Sequence, residues 1–258
     1  MLRQFSDIKN FALAARDGEI GKVKELYFDD QSWAVRYVVV DTGGWLTGRK
    51  VLIAPRSFGS IDEESKLIAV HLTKEQIENS PPIEADKPVS RQHEEEWHRY
   101  YGYPGYWLAP EAIAFGGMPA VAPWPVENVA QGVGGPSTRE PGDPHLRSTS
   151  EVAGYSIHAT DGDIGHVDDF ILDEDGWSIR YLVISRSWWP GKKVVLSPEW
   201  IERVSWEERK VFVPLTRDAI KDAPEWDDTQ PITRASEERL FGHYGRRGYW
   251  PTDVLKNP

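Results

Sequence analysis

Side chains that could bind a metal recur in the sequence, but in the pattern of tight turns. The pairs Asp17-Gly18 and Asp161-Gly162 carry carboxylates, yet Asp-Gly is also a common turn dipeptide. Residues 173–176, Asp-Glu-Asp-Gly, have an acidic start like that of a calcium loop. They lack the alternating oxygen ligands and the glutamate six residues after the glycine that such a loop needs. We interpret all three as solvated turns.

The remaining candidates for catalysis are histidines, serines and glycine-rich loops. None of the seven histidines has a second histidine four residues away with a third ligand nearby. No serine lies in Gly-x-Ser-x-Gly, and no glycine-rich loop has the spacing that binds phosphates or dinucleotides. The chain also has no cysteine, which excludes thiolate catalysis and Cys-ligated zinc. The sequence therefore predicts a protein that is not an enzyme and binds no cofactor and no metal.

The charge of the chain argues against nucleic acid as a partner. The formal net charge is −11, with 41 acidic and 30 basic residues. Both halves of the chain are acidic, and neither has the basic surplus that neutralises phosphates. We expect a protein partner, which the sequence does not identify.

Hydropathy gives an expectation about location. Residues 1–7 lack the apolar core of a signal peptide, and no stretch approaches the roughly 18 apolar residues that cross a membrane. The sequence predicts a cytoplasmic protein with no membrane span, and peripheral association with a membrane stays open.

An internal repeat organises the chain. Residues 17–23 match residues 161–167 at an offset of 144, and residues 33–40 match residues 177–184 at the same offset. The match continues through apolar, turn and charged positions alike. A repeat of this length has the size of a domain, not of a solenoid unit.

One residue is lost in a hairpin loop, and the offset is then 143 as far as Gly-Tyr-Trp, which recurs at 105–107 and 248–250. The sequence predicts three segments: a first copy over 1–107, a Pro/Gly-rich linker over 108–145, and a second copy over 146–258. The linker holds seven prolines and six glycines. Because it also contains apolar residues, which flexible Gly/Ser linkers lack, the sequence leaves open whether part of it is ordered.

Within each copy, short alternating runs rich in β-branched and aromatic residues are separated by turns. The pattern predicts a mainly β chain with two small antiparallel β-barrels in tandem. Each barrel is followed by two short helical segments and then by an aromatic tail. Thr73 and Thr216 are predicted to cap the first helical segment of their own copy.

These residues resemble a known family. Asp-Gly-x-Ile-Gly-x-Val, the acidic turn, Trp-x-x-Arg-Tyr-x-Val and the Thr-Lys/Arg-x-x-Ile ending are similar to those of PRC-barrel domains. The resemblance covers about residues 2–80 and 146–224, and the tail looks like that of stand-alone bacterial members. It implies the barrel fold and an adaptor role, and links the chain to the photosynthetic reaction-centre H subunit and to RimM-type ribosome maturation factors.

Two groups of residues are candidates for an interface. Arg36 and Arg180 interrupt apolar strands at matched positions, so each forms an ion pair with a carboxylate or contacts a partner. The tails, which include Tyr106, Trp107, Tyr249 and Trp250, are too apolar to remain in water. We expect them to dock on the other copy or on a second chain.

The sequence therefore predicts a non-catalytic interaction or scaffold protein whose two modules pack as an intrachain pseudo-dimer. The sequence also leaves open whether several copies of the chain associate as a homo-oligomer. The alternatives are an accessory of a membrane or photosynthetic complex, as the H subunit is, and a ribosome-assembly factor that binds a protein partner.

Overall fold

The computed structural model describes residues 1–44, 46, 48–81, 91–105, 145–185 and 192–250. Tyr106, Trp107 and the predicted linker, apart from His145, lie outside the described residues.

The two repeats give the same order of strands and helices. The first contains β1 (Leu2–Gln4), α1 (Phe5–Ile8), β2 (Ala12–Ala15), β3 (Gly18–Asp29), β4 (Val35–Asp41), β5 (Lys50–Ile53), β6 (Phe58–Asp62), β7 (Leu67–Val70), α2 (Lys74–Glu78) and α3 (Arg91–Tyr101). The second contains β8 (Leu146–Ser148), α4 (Thr149–Val152), β9 (Ser156–Ala159), β10 (Gly162–Asp173), β11 (Ser178–Ser185), β12 (Lys193–Leu196), β13 (Arg203–Ser205), β14 (Lys210–Phe212), α5 (Arg217–Lys221) and α6 (Arg234–His243). Short 3-10 turns follow β5 and β12.

The predicted helix starts are confirmed by their caps. The hydroxyl oxygen of Thr73 accepts the amide of Gln76 at 3.2 Å, and that of Thr216 accepts the amide of Ala219 at 3.2 Å. Thr233 caps α6 in the same way. A threonine in this position satisfies an amide that the first helical turn leaves without a partner.

The strands form two seven-stranded sheets. One has the order β12-β11-β10-β9-β14-β13, and the other has the order β5-β4-β3-β2-β7-β6. Each sheet has one more strand, which comes from the opposite repeat: β1 pairs with β10, and β8 pairs with β3.

The sheets confirm a mainly β chain but differ from the predicted antiparallel barrels in two ways. Each sheet includes a parallel pair among the described strands, β2 with β7 and β9 with β14. The strands of each parallel pair are distant in sequence. A prediction built from hairpins pairs only successive strands, so it could not include these pairs. In addition, the pairing among the described residues forms an open path in each sheet, and neither closes into a barrel there.

The second glycine of Asp-Gly-x-Ile-Gly has a steric reason. A Cβ atom on Gly21 would overlap the carbonyl oxygen of Asp41, and one on Gly165 would overlap that of Ser185. The neighbouring strand crosses the long strand closely at this point, so only glycine fits.

By its contacts the chain divides into two compact units. The first comprises Met1–Phe11, Val23–Val38 and Arg147–Pro258, and the second comprises Ala12–Lys22 and Val39–Leu146. The units follow spatial contacts and the predicted segments follow the sequence repeat, so the segment boundaries stay a prediction.

Each unit has an apolar core of its own. In the first unit, Phe28 and Phe170 are buried with their ring centres 5.9 Å apart. In the second, Leu13, Ile68 and Trp97 are buried. Among the described residues, no helix is both long enough and apolar enough to cross a bilayer.

Candidate functional site

The contact between the two repeats is the feature of the first unit that bears most directly on function. β1 lies antiparallel to β10, with Gln4 opposite Ile171. These residues belong to the first compact unit, as do Arg147 and Ser148 of β8 and the part of β3 from Val23 onwards. We call this contact the seam. It is internal to one compact body.

Two loops form the most symmetric part of the seam. The amide of Val35 donates to the carbonyl oxygen of Trp177 at 2.8 Å, and the amide of Ile179 donates to that of Trp33 at 2.8 Å. Positions 33 and 177 are equivalent in the repeat, and so are positions 35 and 179. Each repeat therefore gives the other the hydrogen bond that it receives.

A buried carboxylate holds the start of α1. The Oδ2 atom of Asp169, whose residue is 8% exposed, accepts the side-chain amide of Gln4 at 3.0 Å and the backbone amide of Ser6 at 3.2 Å. Its Oδ1 accepts the amide of Phe170 at 2.8 Å. Burial of a carboxylate is tolerated because hydrogen bonds replace water.

The equivalent carboxylate holds the start of α4. Glu25, which occupies the position of Asp169 in the first repeat, is buried and accepts hydrogen bonds from the hydroxyls of Ser148 and Ser150. The hydroxyl oxygen of Thr149 accepts the amide of Leu26 at 3.0 Å. Both repeats thus use one acidic residue to hold the first helical turn of the other.

Two ion pairs join the repeats at the seam. Arg3 pairs with Glu174, and the equivalent Arg147 pairs with Asp30 at 2.5 Å. The guanidinium carbon of Arg147 also lies 4.2 Å from the centre of the Trp206 ring. Burial lowers the pKa of Arg147, and the neighbouring Asp30 acts against that shift. The pairs compensate the charges that the seam removes from water.

The structure places Arg36 and Arg180, the first interface candidates, in ion pairs within their own repeats. Arg36 lies 3.1 Å from Asp29, and Arg180 lies 2.9 Å from Asp173. Burial opposes ionisation of Asp29, but hydrogen bonds from Ser32 and the charge of Arg36 outweigh it, so the pKa of Asp29 is lowered. A contact with a partner protein stays a prediction for both arginines.

The aromatic tail of the second repeat contacts its own repeat, whereas the sequence predicted docking on the other copy or on a second chain; the contact with a second chain stays a prediction. The hydroxyl of Tyr249 donates to Glu237 at 2.7 Å, and that of Tyr181 donates to the same oxygen at 2.6 Å. The Trp250 ring lies 5.1 Å from that of Phe241. The rings of Tyr249 and Trp250 therefore pack on Phe241 of α6, which belongs to the same repeat.

Two arginines cover the rings of this tail. The guanidinium carbon of Arg180 lies 4.2 Å from the centre of the Tyr249 ring, and that of Arg234 lies 4.2 Å from the Trp250 ring. Burial, together with the hydrogen bond to Glu237, raises the pKa of Tyr249 to about 12. The phenol therefore stays a neutral hydrogen-bond donor at physiological pH.

The sequence is similar to a known domain family and to a protein of Deinococcus radiodurans. A sequence profile of the PRC-barrel domain matches residues 2–77 and 146–227, which together are more than half of the chain. The chain belongs to the PRC-barrel domain family. An uncharacterized protein of Deinococcus radiodurans is 30% identical over 81 residues, which are 31% of this chain and 29% of that protein. The matched region thus spans less than a third of that relative.

Some seam residues of the two PRC-barrel repeats were not predicted from the sequence. Glu25 and Asp169 were not among the candidate residues, although they occupy one position of the repeat. Trp33 and Trp177 were noted only as part of the repeat and its motif, and not as a contact between the copies. The signal was an acidic residue repeated within an apolar strand. Without the fold, such a residue is not distinguishable from one on a solvated face.

The positions of the acidic and histidine side chains test whether a metal site is formed. In the described ranges, no three His, Cys, Asp or Glu side chains form a group that could hold a metal ion. That the protein binds no metal and no cofactor stays a prediction.

Proposed function

We propose that this PRC-barrel protein is a non-catalytic interaction scaffold in which the two repeats associate as an intrachain pseudo-dimer. The observation that carries the proposal is the reciprocal pair of hydrogen bonds between the Trp33 and Trp177 loops. In a two-fold homodimer, residue i of one subunit contacts residue j of the other, and j contacts i. The seam has this relation within one chain, as a fused dimer of single-copy proteins would.

The buried polar groups of the seam support a structural role. Glu25, Asp169 and Thr149 could serve as acids, bases or hydroxyl donors, but each makes hydrogen bonds to the opposite repeat. Groups used in this way hold two modules in register. A scaffold with a fixed arrangement of modules presents its outer surfaces to partners at fixed positions.

Cleavage of the linker tests the pseudo-dimer. A protease site placed within residues 108–144 of the full chain allows the two repeats to be separated covalently after folding. We expect the fragments to remain together in size-exclusion chromatography and native mass spectrometry, because the seam does not depend on the linker. Separation of the fragments without denaturant would contradict the proposal.

A charge reversal provides the comparison. Arg147→Glu places a carboxylate beside Asp30, so the cleaved fragments should dissociate. Arg16→Glu, which makes the same change at an exposed residue of the second unit, should leave them associated. Circular dichroism of both uncleaved variants checks that they fold.

Copurification from the source cells tests the scaffold role itself. A tagged full-length chain should retain a protein partner in stoichiometric amount and no nucleic acid. Recovery in a membrane or photosynthetic complex would support the first alternative. Recovery with ribosomal precursors would support the second.

A further inference from the structure

The tail of the second repeat carries two adjacent, exposed arginines. Arg246 and Arg247 are exposed, and neither has an ion pair in the part of the chain that the structure describes. The backbone of Arg246 is held by a hydrogen bond from its amide to the carbonyl oxygen of Phe241, 2.9 Å long. An acidic chain thus presents two adjacent cations on an ordered segment.

The first repeat shows that the fold does not need these charges. At the offset of 143, Arg246 and Arg247 correspond to Tyr103 and Pro104. Tyr103 is turned inward: its hydroxyl lies 2.7 Å from that of Ser57, and its ring stacks on Tyr101 with centres 5.6 Å apart. One backbone position therefore serves packing in one repeat and exposes charge in the other.

In the chain, the two arginines are followed by two aromatic residues that are partly exposed. Tyr249 is 38% exposed although its hydroxyl and ring are held by Glu237 and Arg180. Trp250 is half-buried beside Arg234. Arginine, tyrosine and tryptophan are the residues most enriched among those that dominate binding energy at protein interfaces. Because the rings are already ordered, binding costs little side-chain entropy.

We propose that this tail face, formed by Arg234, Arg246, Arg247, Tyr249 and Trp250, binds an acidic segment of a protein partner. The proposal rests on the interaction role proposed above and names the chemistry of one partner. The net charge of −11 repels such a segment at long range. The attraction must therefore act within the screening length of about 8–10 Å, where the exposed guanidinium groups of Arg246 and Arg247 can pair with carboxylates of the segment.

A protein segment fits this surface better than a phosphate backbone does. Nucleic acids and anionic membranes engage several lysines or arginines at once, whereas here two exposed arginines precede two aromatic residues within four positions of the chain. A short peptide can place carboxylates on the arginines and an apolar side chain on the rings.

Fluorescence anisotropy with the full chain tests this. The probe is a fluorescein-labelled peptide, Glu-Asp-Glu-Phe-Glu-Asp-Glu, at low and high salt. Arg246→Ser/Arg247→Ser should weaken binding about fivefold or more, and high salt should do the same. The matched control Lys9→Ser/Lys24→Ser removes two exposed charges elsewhere and should bind as the wild type does. A second variant, Arg246→Tyr/Arg247→Pro, installs the residues of the first repeat and should behave as the serine variant does.

Equal binding by the wild type and the serine variant would overturn the inference. So would tighter binding to phosphatidylserine vesicles or single-stranded DNA than to the peptide. Thermal unfolding of each variant separates a binding effect from a loss of fold. If the linker-cleaved repeats stay together while the peptide does not bind, this inference fails and the proposed scaffold stands.

Discussion

The carboxylate of Asp169 accepts a hydrogen bond from the side-chain amide of Gln4, 165 positions earlier in the chain, with Oδ2 and Nε2 3.0 Å apart. In the equivalent place, Glu25 accepts the hydroxyl of Ser148. The two repeats are joined through polar contacts that are buried and therefore sensitive to the loss of either partner.

Removal of the amide tests the importance of this contact. Gln4→Ala should lower the free energy of unfolding by about 1.5–3 kcal/mol, because a hydrogen bond to a buried charge is lost. Urea denaturation measures the change. Ser6→Ala is the matched control, since Ser6 donates to Asp169 through its backbone amide, and it should shift stability by less than about 0.5 kcal/mol. Similar effects of the two substitutions would contradict the assignment.

The docking of the tail predicts that substitution of Glu237 destabilises the second repeat. Glu237→Ala removes the acceptor of two phenols and leaves the hydroxyl of the fully buried Tyr181 without a partner, which should cost about 2–3 kcal/mol. Thermal and urea unfolding measure this loss. The hydrodynamic radius should not change, because the contacts are internal to the second repeat.

Glu238→Ala, at the next and exposed position of α6, is the control and should be nearly neutral. Loosening of the two repeats in Glu237→Ala, seen as a larger radius, would favour a tail that bridges them instead.

The lowered pKa of Asp29 predicts how one ion pair depends on pH. Its carboxyl binds a proton less readily when folded than when unfolded. The pKa of an Asp carboxyl in an unfolded chain is about 3.9. The ion pair of Asp29 with Arg36 therefore stabilises the folded protein fully above about pH 5. This stabilisation is lost as the pH falls through the pKa that Asp29 has in the folded state.

Arg36→Gln should lower stability by about 2 kcal/mol at pH 7, and its difference from the wild type should shrink below pH 4. Urea unfolding at a series of pH values measures this. Arg16→Gln, at an exposed arginine, should show no such dependence. A difference that stays constant down to pH 2 would show that Arg36 stabilises by packing and not by charge.

The sequence determined features that depend on near neighbours. The repeat, the turns at Asp17-Gly18 and Asp161-Gly162, and the helix starts at Thr73 and Thr216 could all be predicted, because turn and cap chemistry acts over a few residues. The ion pairs of Arg36 and Arg180 were also within reach, since their carboxylates lie seven residues away.

Only the tertiary structure decided which repeat each segment joins. The long strands β3 and β10 have nearly the same pattern, so the first strand of either repeat could pair with its own long strand or with the other. Alternation and propensity are equal in both arrangements, and the choice follows from contacts between residues more than 120 positions apart, such as Leu26 with Thr149. The same holds for the parallel pairs and for the tail, whose apolar residues can be buried on any suitable surface.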